Sequence, residues 1–260
     1  MTPEHIEQLR KAMLLLEHPG LAARITASIG SPIERGMELL PARWSEALRD
    51  ATTRALQTAL NAALKTFGRN GPRGSRDLWH KIVVTASGAC GGAFGFPALL
   101  IELPISTTIM LRSIADIARS EGEDMQLAES KLACLEVFAL GGRAPEDDAS
   151  DSGYYVVRAA LAKAVSDAAA LIAERGIAKE GAPAIVRLIS QIAARFGMTV
   201  SEKAAAQAVP AVGAVGGALI NLVFINHFQD MARGHFTVRR LERIYGVGVA
   251  LSAYRELNGR

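Results

Sequence analysis

The chain has 260 residues, half of them apolar, with a net charge of +3 and an aromatic share of only 5%. That length and apolar fraction suffice to bury a sizeable core, while so small a net charge does not suggest wrapping of nucleic acid, which needs a concentrated basic face, and no nucleic-acid partner is expected. Alanine, leucine and glycine outweigh β-branched and aromatic residues, which points to an all-α fold packed through small side chains rather than to a sheet.

In chain order, apolar residues at Ile6, Leu9, Met13, Leu14 and Leu16 predict a helix from Pro3 to about Glu17, broken by "HPG". A second segment starts near Leu21. In "GSPIERGMELLP", Ser31, Pro32 and Glu34 form a capping-box pattern for a further helix start. A longer helix is predicted from Pro41 to Thr66, with Leu48, Ala51, Ala55, Ala59 and Ala62 or Ala63 as a narrow stripe of mostly small residues.

The glycine-rich stretch from Gly68 to Lys81 reads as a loop, and it is basic through Arg69, Arg73, Arg76 and Lys81. No charged residue occurs from Ile82 to Ile101, or again from Ala204 to Asn226. Either run is long enough to cross a bilayer, and the second is followed by the basic Arg233, Arg239, Arg240 and Arg243. Against that reading stand Gly88, Gly91, Gly92, Gly95 and Pro97 in the first run, and Pro210, Gly213, Gly216 and Gly217 in the second. These residues weaken a helix, yet their G-x-x-x-G spacings allow close backbone approach. Two central, tightly packed helices of one bundle are the first expectation; a re-entrant hairpin and two full spans remain open. The division is one domain over 1–260, with N-terminal helices over 1–67, a basic loop over 68–81 and a helical core over 82–260.

Polar residues gather in two places. Glu102 closes the first charge-free run as the expected buried acid, with Arg112 or a histidine as its expected partner. Thr108, Arg112, Asp116, Arg119 and Glu123 then form one stripe on a helix, with i,i+4 pairs from Arg112 to Asp116 and from Arg119 to Glu123. The stripe is either a solvated face or the polar side of an internal cavity where Arg112 holds an anionic headgroup or carboxylate. Farther on, His227, Asp230, His235 and Glu242 fall within half the circumference of a single helix, although Gly234 weakens that helix. The spacing matches no strong zinc pattern, and no metal or cofactor is expected. Tyr155 and Arg158, after "DDASDSG" with Asp151 or Ser152 as cap, sit either at the mouth of a ligand site or on a polar helix entrance with hydroxyls in water. Amphipathic helices are expected over 159–173 and 183–196. No phosphate-binding loop, nucleophile elbow or dinucleotide fingerprint is present. Cys90 and Cys134 stand apart from any C-x-x-C pair and the opening residues lack a cleavable signal pattern, so a reduced, cytoplasmic setting is expected, with Cys134 a small core residue.

The segments "LEHPGLAARITASIGSPIERGMELLP", "LPISTTIMLRSIADIARSEGED", "LACLEVFALGG", "SGYYVVRAAL" and "PAVGAVGGALINLVFINHFQDMARGHFTVRRLERIYG" together resemble bacterial EcsC-family proteins over nearly the whole chain, in order. The resemblance implies a single-domain helical protein working at or near a membrane, since the family is named for a protein encoded beside an ABC transporter. It assigns no catalytic residue. The expected function is a membrane-associated accessory protein, peripheral to the inner membrane, that binds a lipid or a transporter subunit, with a homo-oligomer as an open alternative to the monomer. Its ligand-site candidates are Glu102, Thr108, Arg112, Asp116, Tyr155, Arg158, His227, Asp230 and His235. The alternative is a hydrolase of lipids or peptides, with Glu102, His227, Asp230 and His235 brought together where the two apolar helices cross.

Overall fold

The computed structural model describes residues 1–17, 20–29, 43–67, 96–142, 153–175, 181–208 and 213–259. Among them stand nine α-helices and no strand, so the fold is all-α. They are α1 (Pro3–Glu17), α2 (Leu21–Ile29), α3 (Arg43–Thr66), α4 (Phe96–Ser120), α5 (Ala128–Leu140), α6 (Gly153–Arg175), α7 (Pro183–Ala208), α8 (Gly213–Tyr245) and α9 (Val247–Asn258). The capping box at Ser31, the basic loop over 68–81 with Arg69, Arg73, Arg76 and Lys81, Cys90, the cap at Asp151 or Ser152 and the glycines from Gly88 to Gly95 lie outside the described residues.

The stripe expected on α3 is the one it buries: Leu48, Ala51, Ala55, Ala59 and Ala63 are all shielded, joined by Leu56 and Leu60. Such small side chains let α3 lie close along α4 and α7, its main neighbours. Past its first turn, helix α5 has no exposed polar face. From Leu132 to Ala139 every residue is buried, so α5 is the central helix, covered by α3, α4, α6, α7 and α8. Phe138 on α5 meets Phe196 of α7 and Phe228 of α8 at ring-centroid distances of 4.8 and 5.2 Å. Each such buried ring contributes about 1.5–3 kcal/mol from burial. A smaller second core joins α1, α6, α8 and α9 through Leu9, Ala12, Tyr154, Val238, Leu241 and Tyr254.

The 33-residue α8 is the spine, in contact with α1, α2, α4, α5, α7 and α9. It passes unbroken through Gly234, contrary to the expected weakness there. A Cβ at that position would fall 2.6 Å from Leu16 Cγ and 2.9 Å from the Ala12 carbonyl oxygen, so the glycine marks where α1 presses against α8. Helices α4 and α8 run in the same direction. Glu102 meets Asn221 near their starts, Ser113 meets Gln229 midway, and Glu123, just beyond α4, meets Arg239 near the end of α8. Helix α4 stops in a Schellman motif: Gly122 adopts φ +84°, its N–H reaches the Arg119 carbonyl, and the Glu123 N–H reaches that of Ala118.

Two expectations about the charge-free runs change. The described residues of the second run belong to two helices, the end of α7 up to Ala208 and the start of α8 from Gly213, and Ala204, Ala205, Ala206, Ile220, Phe224 and Ile225 are buried against the protein's own core. The helix of the first run does not end at Glu102; from Phe96 onward the run forms the first turns of α4, and both Glu102 and Pro104 lie inside that helix. Among the described residues no helix is long and apolar enough to cross a membrane.

Candidate functional site

Glu102 is the buried acid that the sequence suggests, but its partner is neither Arg112 nor a histidine. Lys203 on α7 donates to its Oε1 at 3.0 Å, and Asn221 Nδ2 on α8 donates to the same oxygen at 3.0 Å. Lys203 is wholly shielded, and its Nζ also stands 4.8 Å from the centroid of the Phe224 ring. Burial pushes the lysine's pKa down and Glu102 opposes that shift. The arrangement is a closed three-helix junction rather than an open polar cavity. Arg112, one face away, is exposed and carries no hydrogen bond or ion pair among the described residues. Thr108 donates to the Pro104 carbonyl of its own helix at 2.8 Å. The two i,i+4 pairs do not form. Asp116 accepts from Arg119 at 2.7 Å, and Arg119 also donates to the Phe67 carbonyl of α3.

The four polar residues predicted along one helix do lie on α8, yet each has its own partner and they do not converge. His227 donates through Nε2 to the Gly141 carbonyl at 3.0 Å, and burial depresses its pKa to about 4. Asp230 binds Arg24 of α2 at 2.6 Å and Arg233 at 3.0 Å. His235, fully buried, has Nδ1 3.0 Å from the Tyr154 hydroxyl, and burial holds it well below its ordinary pKa. With Glu102 held by α7 and α8, the acid–histidine convergence expected for a hydrolase is absent among the described residues, as is any metal-holding group of three ligands.

What does converge is the entrance of α6 on the last turns of α8. Tyr155 and Arg158 are not a water-facing polar surface. Arg158 grips Glu242 with two hydrogen bonds, Nη1 to Oε1 at 2.7 Å and Nη2 to Oε2 at 3.0 Å, and Tyr155 donates to Oε1 at 3.2 Å. Nη1 of Arg158 also reaches the Tyr154 hydroxyl, linking the pair to His235. These side chains, with Glu136 of α5, Arg239 of α8 and Val247 of α9, line a pocket of about 310 Å³ whose outer wall is Ala159, Ala162 and Val165. Glu136 is 6% exposed and has no hydrogen-bond partner among the described residues. Burial raises its pKa to about 7 even though Arg158 and Arg239 pull it down. A larger groove of about 500 Å³ between α3 and α7 is lined mostly by small residues, with Leu48, Met198 and the exposed Arg49, and without any buried ionisable group.

The arginines after the second charge-free run are engaged inside the protein. Arg239 binds Glu123 through Nε at 2.8 Å and Nη2 at 3.2 Å, and Arg243 binds the same carboxylate. Arg240 binds Glu121 at 2.7 Å and Gln8 at 3.0 Å. Burial alone would raise the Glu123 pKa, but Arg239, Ser130 and Arg243 outweigh it and hold the carboxyl below its ordinary range. The segment from Glu121 to Glu123 is thereby clamped to the end of α8.

Sequence reasoning missed Glu136 and Lys203. Glu136 stands alone among apolar residues in "LACLEVFAL", and Lys203 immediately precedes the second charge-free run. An isolated charge inside or against an apolar run was the available signal, and at Glu102 the same signal was used.

The EcsC protein family model matches residues 4–241, from the first turn of α1 to the last turns of α8. No curated protein and no solved structure matches the chain. Because the match takes in α1 to α7 and nearly all of the α8 spine they pack around, the chain belongs to the EcsC protein family.

Proposed function

We propose that this protein is a membrane-associated accessory protein that binds lipid, or an apolar segment of a membrane transporter subunit, through the outer face of α4. One observation carries the reading. Ile101, Ile105, Thr108 and Arg112 follow one another at i, i+4, i+7 and i+11, with Ile101 73% and Ile105 56% exposed and Arg112 exposed without a partner among the described residues. From Ile101 to Arg112 the stripe runs about 16 Å along one side of the helix, so a helix lying in the interface plane presents all four side chains to the membrane together. Two large aliphatic side chains one turn apart, ending in a guanidinium, match an interfacial helix whose arginine reaches back to the headgroups. The arginines of α8 contribute less to such binding, because their charges already meet Glu121, Glu123 and Asp230. The protein thus docks from the cytoplasmic side by apolar contact, with Arg112 selecting anionic headgroups.

Flotation with phosphatidylcholine vesicles containing phosphatidylglycerol tests it. Ile101→Asp with Ile105→Asp removes binding while the fold, at such exposed positions, stays within about 0.5 kcal/mol of the parent. Arg112→Glu lowers binding to the anionic vesicles only. Undiminished flotation of the double variant overturns the proposal.

A further inference from the structure

The pocket between α5, α6, α8 and α9 lies away from the α4 stripe; Ser113, next to the stripe's near end at Arg112, meets Gln229, and Arg239 is about 15 Å farther along α8. Its chemistry is therefore separate from the membrane reading. At about 310 Å³ it sits at the small end of ligand pockets, and it combines an apolar wall with a polar floor. Two guanidiniums are fixed there. Arg158 is locked onto Glu242 and Arg239 onto Glu123, so both are pre-positioned before any ligand arrives. Arg239 spends Nε and Nη2 on Glu123, and its Nη1 has no hydrogen bond among the described residues. Glu136, buried and unbonded, lies in the same pocket.

We infer that this pocket binds a short-chain aliphatic carboxylate, its oxygens between Arg239 and Glu136 and its chain along Ala159, Ala162 and Val165. Spare N–H donors on a permanent cation call for an acceptor, which disfavours an amine. A phosphate dianion fits poorly because Glu136 and Glu242 line the same space. A carboxylate needs one proton shared with a neighbouring carboxyl, and a neutral Glu136 supplies it. The groups that act on Glu136 are Arg158 and Tyr154 of α6, Arg239 and Glu242 of α8, and Cys134 on its own helix, while Tyr155 lines the same pocket with its hydroxyl on Glu242. The two arginines favour its ionised form and Glu242 opposes it, while burial keeps the neutral form present up to about pH 7.

Calorimetric titration of the full chain with sodium hexanoate, alongside hexylamine and hexanol, tests the inference. Hexanoate binds saturably and about tenfold more tightly at about pH 6 than at about pH 8, the change expected for one proton lost near pH 7. Glu136→Gln, which keeps an N–H donor, removes that pH dependence. Ala162→Phe, at an exposed position on the rim, weakens hexanoate at least tenfold with the fold intact, and it decides the matter should the Glu136 variant fail to fold. Hexylamine or hexanol binding as tightly as hexanoate, hexanoate failing to saturate, or Ala162→Phe leaving binding unchanged each overturns the proposal.

Discussion

Lys203 donates to Glu102 at 3.0 Å across the interface of α7 and α4, with the lysine wholly shielded and the acid only 6% exposed. Removing one member of such a pair strands the other charge in an apolar setting. Lys203→Met is expected to cost about 3–5 kcal/mol, whereas Lys203→Met combined with Glu102→Leu recovers most of the loss. Urea denaturation of the single and double variants measures the difference. A double variant as unstable as the single would mean that the pair does more than neutralise itself.

Buried His227 and buried Glu136 tie stability to pH with opposite signs. His227 drops from an ordinary 6.5 to about 4, so between these values the unfolded chain holds the extra proton. Its contribution is complete above about pH 6.5 and is lost as pH falls towards 4, at most about 3 kcal/mol. His227→Gln, which retains a donor for the Gly141 carbonyl, should flatten the acid limb of a stability profile.

Glu136 rises from 4.5 to about 7, so the folded protein holds the extra proton in that interval and stability falls as pH rises through it. Glu136→Gln is therefore expected to be more stable than the parent above pH 7, by up to about 3 kcal/mol, and to lose that advantage near pH 4.5. Thermal melts of both proteins across this range provide the check.

Close packing at Gly142 contrasts with open space at Gly197. A Cβ at Gly142 would stand 2.3 Å from the Arg195 carbonyl oxygen, which is backbone of α7 and cannot swing away. Gly142→Ala should destabilise by about 1–3 kcal/mol. Nothing lies within 4 Å of a Cβ at Gly197 inside the same helix α7, so Gly197→Ala should stabilise by about 0.5–1 kcal/mol. Chemical denaturation of the two alanine variants should move in opposite directions.

The arginines of α8 serve the fold, and their replacement should read out as stability. Arg239→Met leaves Glu123, whose side chain is 4% exposed, with fewer donors, and a loss of about 2–4 kcal/mol is expected. Arg112→Met, at an exposed site, should be neutral within about 0.5 kcal/mol. Equal effects of the two substitutions would contradict this division of labour.

The sequence carried the helices wherever periodicity and small-residue stripes coincided, as in α1 and α3, and it marked Glu102 because an acid stood against an apolar run. It did not carry partners. Asp116 turns to Arg119 rather than Arg112, and Glu123 turns to Arg239 rather than Arg119, because helix neighbours three and four apart compete with donors more than a hundred residues away. Helical position likewise put His227, Asp230 and His235 within one half-circumference, yet Gly141, Arg24 and Tyr154 approach α8 on three different helices or their ends and separate them. The pocket at Glu136 needs four helices to exist, so no local pattern announces it.

The place of α8 as the element against which α1, α2, α4, α5 and α7 all rest has a consequence for the order of events during synthesis. Helix α1 leaves the ribosome before the other described helices, but the surface that shields Leu9 and Ala12 includes Val238 and Leu241, which are made more than two hundred residues later. Until then the early helices hold exposed apolar stripes and await a distant partner, which favours late, all-at-once consolidation over stepwise growth.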